Sequence, residues 1–375
     1  MKIAINTRLL LKDRLEGIGW FTYENLKRIT IAHPEHEFFF FFDRAFSPEF
    51  VFSDNVKPIV LFPQARHPVL YYTWFEYSVR KALKKINADL FISTDGYVSL
   101  STQVKTFNVF HDLNFEHYPM DIPFLERWYY RKFFVKFAHK ASRIATVSEF
   151  SKQDIINLYN ISPDKIDVVY NGANEIYCPK SNEVIENTRA RYSEGLPYFY
   201  FIGSLHRRKN LINLFHAFDI FRSESVKPVK LIITGAKKWW TDDMESVYSA
   251  MKFKDDVIFT GRLSLNEISD LMGSALALTY VSYFEGFGIP IIEAFRSEIP
   301  VITSNVTSMP EIAGDAALLT DPFNPDDIAL AMQKVSEDNQ LRERLVTAGK
   351  IRAKEFTWEK SAERLWVSIE KLLDE

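Results

Sequence analysis

Short apolar runs rich in β-branched and aromatic residues alternate, along almost the whole chain, with longer segments whose apolar positions recur at helical spacing. In the first half, residues 2–6, 38–42, 57–62, 89–93, 105–110, 143–147 and 165–169 read as strands. Residues 20–30, 74–85, 124–140 and 149–159 read as amphipathic helices. Strands apolar on both faces belong inside a parallel sheet covered on both sides, so the pattern predicts an α/β architecture. Turn chemistry gathers at Tyr170-Asn171-Gly172-Ala173-Asn174, and a polar, charge-mixed stretch follows at 179–195; together they read as a domain junction. Beyond it a second series restarts at 198–202 and continues through 230–234, 257–260, 275–280 and 300–303. The last segment, 358–373, has an apolar stripe able to serve either unit.

The 375 residues suit two domains of this kind. Lys and Arg total 46 against 49 Asp and Glu, a net charge of -3, which argues against a chain built to coat nucleic acid. The single cysteine, Cys178, excludes an intrachain disulfide, and no Cys/His spacing suits structural zinc; a reducing, cytoplasmic compartment fits. The first residues, Met1-Lys2-Ile3-Ala4-Ile5-Asn6, lack the features of a signal peptide and read as a strand. No apolar run reaches membrane-spanning length, so any membrane contact is expected to be peripheral.

The most informative stretch is Tyr283-Phe284-Glu285-Gly286-Phe287-Gly288-Ile289-Pro290-Ile291-Ile292-Glu293, directly after a strand. Pro290 suits a first helical turn and the glycines a tight loop, which puts Glu285 in the loop and Glu293 in that first turn. N–H groups at a helix start beside a sheet's carboxyl edge suit a phosphate. Two carboxylates there make sense if their partners are neutral hydroxyls of sugar and ribose; the alternative is a helix-start acid and a solvated one. A basic loop, Gly203-Ser204-Leu205-His206-Arg207-Arg208-Lys209-Asn210, follows strand 198–202, with Asn210 placed to cap the next helix. Gly17-Ile18-Gly19 follows the first strand, but no third glycine completes a dinucleotide fingerprint, and NAD is disfavoured. His111-Asp112 and Asp95-Gly96 close two further strands, as an edge facing an acceptor or as ordinary turns. Tyr71 to Lys85 and Arg127 to Lys136 mix aromatic with basic residues, a pattern for a lipid-linked glycan or a membrane surface, or for plain amphipathic helices.

Taken together these motifs resemble family 4 of the retaining nucleotide-sugar glycosyltransferases. The resemblance rests on the glutamate pair Glu285 and Glu293, on Pro300-Val301-Ile302-Thr303 and Met309-Pro310-Glu311-Ile312-Ala313-Gly314, and on Val109-Phe110-His111-Asp112-Leu113, Thr146-Val147-Ser148-Glu149-Phe150-Ser151 and Gly203 through Asn210. It implies a GT-B fold of two facing Rossmann-like domains, with domains at 1–175 and 176–356 and a terminal helix, 357–375, returning to the first. It implies that Glu285 holds the donor sugar, Glu293 the ribose, and Lys209 with Arg208 the diphosphate. Phe287, Gly288 and Ile289 would add backbone donors, His111 would meet the sugar, Gly17 and Gly19 would border the phosphates, and Gly203, Ser204, Gly261 and Arg262 would line the nucleotide.

The implied reaction moves a hexose from a nucleotide sugar, GDP-mannose or a UDP-sugar, to a glycan or lipid-linked glycan in bacterial surface polysaccharide synthesis, with retention and without metal or other cofactor. The membrane contact would be on its inner face. An epimerase, a phosphorylase-like enzyme or a silent glycan-binding subunit are the competing expectations. Three departures stand out: relatives carry arginine where Ser204 stands, and glycine where Glu298 and Lys238 stand.

Overall fold

A computed structural model describes residues 1–374, and the chain divides into two compact units, Met1–Gly172 with the helix from Trp358 onward, and Ala173–Thr357. The first unit holds a sheet of seven strands: β1 (Lys2–Asn6), β2 (Glu37–Phe42), β3 (Val56–Val60), β4 (Leu90–Ser93), β5 (Lys105–Phe110), β6 (Arg143–Thr146) and β7 (Ile166–Val168). They run in the order β3-β2-β1-β4-β5-β6-β7, every neighbouring pair parallel. Residues Phe38 to Phe42 are buried in a row, as expected of a strand with helices on both faces.

The second unit repeats the plan with β8 (Tyr198–Ile202), β9 (Lys230–Thr234), β10 (Val257–Gly261), β11 (Ala277–Tyr280), β12 (Val301–Ser304) and β13 (Leu318–Thr320). Their order is β10-β9-β8-β11-β12-β13, again all parallel. Both sheets are therefore doubly wound, Rossmann-like sheets whose strand order reverses beside the first strand, between β1 and β4 and between β8 and β11. Such reversals open a crevice at the carboxyl ends of two neighbouring strands, where ligands of open α/β sheets bind.

Two sequence expectations change. The polar stretch 179–195 is not a linker: Ser181 caps a helix over Asn182–Ser193 that belongs to the second unit. Its many charges mark a solvated helix face. Strand β13 was not foreseen: it spans only three residues, Leu318–Thr320, too few to show a strand pattern.

The C-terminal helix, Trp358–Asp374, packs on the first unit. Leu365, Ile369 and Leu372 recur on one face and are buried, each worth roughly 1.5–3 kcal/mol on transfer from water. Arg28 donates to Glu359 at 2.6 Å, and Asp167 accepts from Ser368 and Lys371 at 2.5 and 2.9 Å. No helix among the described residues is long and apolar enough to cross a membrane.

Candidate active site

Strands β8 and β11 deliver two loops to the reversal point of the second sheet. The first leaves β8 at Gly203, whose carbonyl oxygen lies so near Gly235 that a Cβ there would stand 2.0 Å from it; only glycine permits that approach. The loop tightens into a single turn, Arg207–Lys209, and ends at Asn210 in the left-handed region. The expected cap does not form. The Asn210 side chain instead donates to the carbonyls of Val281 and Pro322, at 2.9 and 2.6 Å, tying the loop to its neighbours. The second loop leaves β11 after Tyr280 and ends at Gly288, with φ of +98°, where the helix Ile289–Arg296 begins with Pro290 in its first turn. The Tyr283 amide donates to the Arg208 carbonyl at 3.0 Å, and the Ser308 hydroxyl donates to the carbonyls of Glu285 and Phe287. The loops thus brace each other.

Inside this brace Glu285 is only 5% exposed. Arg208 Nη1 donates to its Oε2 at 2.6 Å and also to the Phe284 carbonyl at 3.0 Å. Lys209 Nζ donates to Oε1 at 2.6 Å and to the Tyr280 hydroxyl, which in turn donates to Oε1 at 3.0 Å. Burial pushes the Glu285 carboxyl up, but the charges of Arg208 and Lys209 and their hydrogen bonds outweigh it and hold the group at about 2. Glu285 is ionised, and its carboxylate is shared between two cations. Within the chain its partners are two cations and a phenol, because a buried carboxylate needs charge compensation.

Glu293 differs. The helix starts at Ile289, so Glu293 falls in the second turn rather than the first. Burial pushes its carboxyl up to about 8, against a hydrogen bond from Tyr177, although the residue keeps partial contact with solvent. At neutral pH it is a protonated acid. The two carboxylates at this loop and helix therefore pose little repulsion to an anion: one is neutralised by cations, the other by its own proton.

The other predicted residues lie as follows. Gly261 ends β10 with φ of +72° and accepts from the Gly235 amide at 3.0 Å; Arg262 and Ser204 are exposed. In the first unit, Gly17 and Gly19 stand within the first turn of the helix Gly17–Ala32 instead of a preceding loop, and a Cβ on Gly19 would press on the Leu9 carbonyl at 3.1 Å. His111 follows β5, and its Nε2 lies 2.8 Å from the Thr94 carbonyl. A carbonyl only accepts, so Nε2 carries the proton and Nδ1 is an acceptor. Burial lowers this imidazole's pKa despite the Thr94 bond, keeping it neutral. Asp112 receives the Asn114 amide at 3.1 Å. Asp95 does not face outward: it is buried in an ion pair with Arg8 at 2.6 Å.

Sequence reasoning missed Tyr280, Tyr177, Gly235 and Ser308. Tyr280 closes a strand beside the glutamate loop, a placement that offered a signal. Tyr177 and Ser308 reach the site from distant segments and carried none. Among the described residues no group of three or more His, Cys, Asp or Glu is placed to hold a metal ion.

Comparison with known proteins agrees with this layout. Residues 17–177 match the model of Glycosyltransferase Family 4, and residues 185–352 that of Glycosyl transferases group 1. The chain is similar to the O-antigen chain mannosyltransferase B of Escherichia coli, 28% identical over 375 residues that cover 96% of this chain and 97% of the relative. In fold it resembles sucrose-phosphate synthase from Thermosynechococcus elongatus, with a TM-score of 0.80 at 17% identity and coverage of 100% and 99%. It also resembles Anabaena HepE in complex with UDP-glucose, with a TM-score of 0.77 at 16% identity and coverage of 99% and 100%. Two doubly wound units in tandem, the paired glutamates, and family models that between them account for most of the chain place this protein among the family 4 glycosyltransferases of GT-B fold.

Proposed function

We propose that the protein is a retaining, metal-independent hexosyltransferase that moves mannose from GDP-mannose to a glycan or lipid-linked glycan in surface polysaccharide synthesis. The observation that carries this reading is the Arg208–Lys209–Glu285 cluster at the strand-order reversal of the second sheet, two cations on one carboxylate braced from two loops. The mannosyl and O-antigen parts draw on the Escherichia coli relative.

The reaction breaks the bond between the anomeric carbon and a diphosphate oxygen, and forms one to an acceptor hydroxyl. Negative charge grows on the departing diphosphate while the sugar gains oxocarbenium character. Lys209 and Arg208 are the proposed stabilisers of that charge, held in place beforehand by Glu285, so that no reorientation is needed as the bond breaks. The leaving phosphate takes the acceptor's proton on the same face of the sugar, which gives retention. The backbone around Phe287, Gly288 and Ile289 and the loop residues Gly203 and Ser204 are assigned to the nucleotide diphosphate, and Gly261 and Arg262 to the base. Glu293, neutral at pH 7, is assigned to a ribose hydroxyl, which a carboxylic acid can meet as donor or acceptor without repelling phosphate. His111 Nδ1, an acceptor on a neutral ring, is assigned to a sugar hydroxyl.

The test is product analysis with GDP-mannose and UDP-sugars in the presence of a glycan acceptor. Transfer with retained anomeric configuration, unaffected by a chelator, is expected. Sugar interconversion or phosphate-dependent cleavage without transfer would reject the reading.

A further inference from the structure

In the second sheet the neighbouring strands β8, β9 and β10 all finish on a glycine: Gly203 and Gly235 directly follow β8 and β9, and Gly261 closes β10. The Gly203 amide donates to the Thr234 carbonyl and the Gly235 amide to that of Gly261, both at 3.0 Å, so the three strand ends lie side by side. All three glycines are partly exposed. With no side chains at these positions, the carboxyl edge is a low ledge of bare backbone, leading in strand order from the Arg208–Lys209 loop toward Arg262.

The middle strand sends two successive tryptophans to this ledge, and the fold treats them differently. Trp240 is spent on packing: its ring centre lies 6.1 Å from that of Phe215, 6.4 Å from that of Tyr248 and 5.4 Å from that of Phe259, and its indole N–H donates to Glu245 at 2.8 Å. Trp239, at the end of the single turn Lys237–Trp239, stays 38% exposed. It meets His206 edge-on at 5.5 Å, and Lys238 Nζ stands 5.2 Å from its ring centre. His206 belongs to the β8 loop, where its Nδ1 accepts the Arg208 amide at 3.4 Å. The exposed indole is thus tied through one imidazole to the loop that carries the cation cluster.

We propose that Trp239 stacks on the base of the bound nucleoside diphosphate and selects a purine over a pyrimidine. Every base offers a π face to an aromatic side chain, and the two fused rings of a purine cover more of an indole than a single ring does. With the diphosphate at Arg208 and Lys209, the base extends along the glycine ledge, where no side chain at the strand ends blocks it, and Trp239 meets it from the β9 turn. Trp240 cannot take this part, since its ring is committed to Phe215, Tyr248 and Phe259. The assignment rests on the reading of the site as one for a nucleotide sugar, and adds to it the residue that discriminates between nucleotides.

The experiment is calorimetric titration of the full chain and its variants with GDP and with UDP. The parent chain is expected to bind GDP more tightly than UDP. Trp239→Ala raises the Kd for GDP about tenfold to a hundredfold and that for UDP by less, so the preference narrows. Trp239→Phe, which keeps a smaller ring, recovers part of the GDP affinity, and Trp240→Phe binds GDP as the parent does. In transfer from GDP-mannose the loss in Trp239→Ala falls on KM more than on kcat, since the ring meets the base and not the reacting carbon. GDP quenches tryptophan fluorescence in the parent and in Trp240→Phe, and much less in Trp239→Phe. Unchanged circular dichroism establishes that the variants fold. A parent chain that prefers UDP, equal losses for both nucleotides in Trp239→Ala, or no recovery in Trp239→Phe would each overturn the proposal. Binding of neither nucleotide by the parent overturns the nucleotide-sugar reading as well, whereas parent binding that the Trp239 variants leave intact overturns this assignment alone.

Discussion

The two sheets reverse their strand order at equivalent places, and each reversal holds a buried cation–carboxylate contact, but the two contacts are built for different ends. In the first unit Arg8, after β1, meets Asp95, after β4, at 2.6 Å; Asn6 also donates to Asp95 at 2.8 Å, and the Tyr71, Phe75 and Tyr97 rings lie within 5.8 Å of the guanidinium. One charge balances one charge, inside an aromatic cage, and the crevice is filled by the chain itself. In the second unit Glu285 faces two cations, Arg208 and Lys209, and Arg208 is partly open to solvent. The same topology yields a structural plug in one sheet and a candidate anion site in the other. Topology says where a site can be; side-chain charge balance says whether it is one.

The sharpest test pits the two contacts against each other. Arg8→Ala leaves Asp95 buried without its partner and is expected to cost about 3–5 kcal/mol of stability, read by urea unfolding. Lys209→Ala leaves Glu285 paired with Arg208, so the fold persists, while transfer falls about a hundredfold to a thousandfold in kcat. If Lys209→Ala turned over donor normally, or if Arg8→Ala lost activity at full stability, the contrast would be gone. Glu285→Ala is a poorer probe, since it strands two cations; Glu285→Gln keeps the shape and is expected to lower kcat more than it raises KM for the donor.

The two glutamates of the second unit predict opposite pH behaviour. Glu293 is raised to about 8 from an ordinary 4.5, so the fold favours its protonated form. Its contribution is fully present below pH of about 4.5 and is lost as pH rises through about 8. Glu293→Gln, which cannot ionise, should therefore gain on the parent chain over that window, by about 2 kcal/mol once partial solvent contact is allowed for. Melting temperatures at pH 5 and pH 9 decide this: a constant offset would refute it. Glu285, lowered to about 2, contributes stability above about pH 4.5 that disappears as pH falls toward about 2.

The smallest expected effect concerns a departure from the family pattern. Glu298 follows the helix Ile289–Arg296 with φ of +57°, the left-handed conformation that favours glycine after a helix, in line with the glycine that the family resemblance implies there. Its exposed ion pair with Lys350 at 3.0 Å offsets little. Glu298→Gly is expected to raise stability by about 0.5–1 kcal/mol with activity unchanged. A loss of stability would mean that the ion pair outweighs the backbone strain.

Much of the fold was legible because its signals are local. Twelve of the strands announce themselves as mainly apolar runs, since a strand covered on both faces buries most of its side chains, and β13 escapes for want of length. The helices at 124–140 and 149–159 match the observed Phe124–Lys140 and Glu149–Tyr159, the latter opened by the Ser148 cap. Charge, by contrast, misled at 179–195, where a solvated helix was read as a junction. The residue types of the site were legible too, in the Gly203 to Asn210 loop and the two glutamates. Their partnerships were not: Asn210 bridges loops instead of capping, and Glu285 pairs with cations.

From the residue order alone came the alternation of strands and helices, the two tandem units, and the loops bearing Lys209, Glu285 and Glu293, because periodicity and turn chemistry act over a few neighbouring residues. Tertiary structure alone decided which carboxylate keeps its charge. Glu285 and Glu293 are the same residue type in one short segment, and only their surroundings separate them: Arg208 and Lys209, brought from elsewhere in the chain, hold one down to about 2 against burial, while burial sends the other up to about 8 against the Tyr177 bond. Electrostatic free energy depends on distances in space and on the exclusion of water, neither of which is written in local sequence.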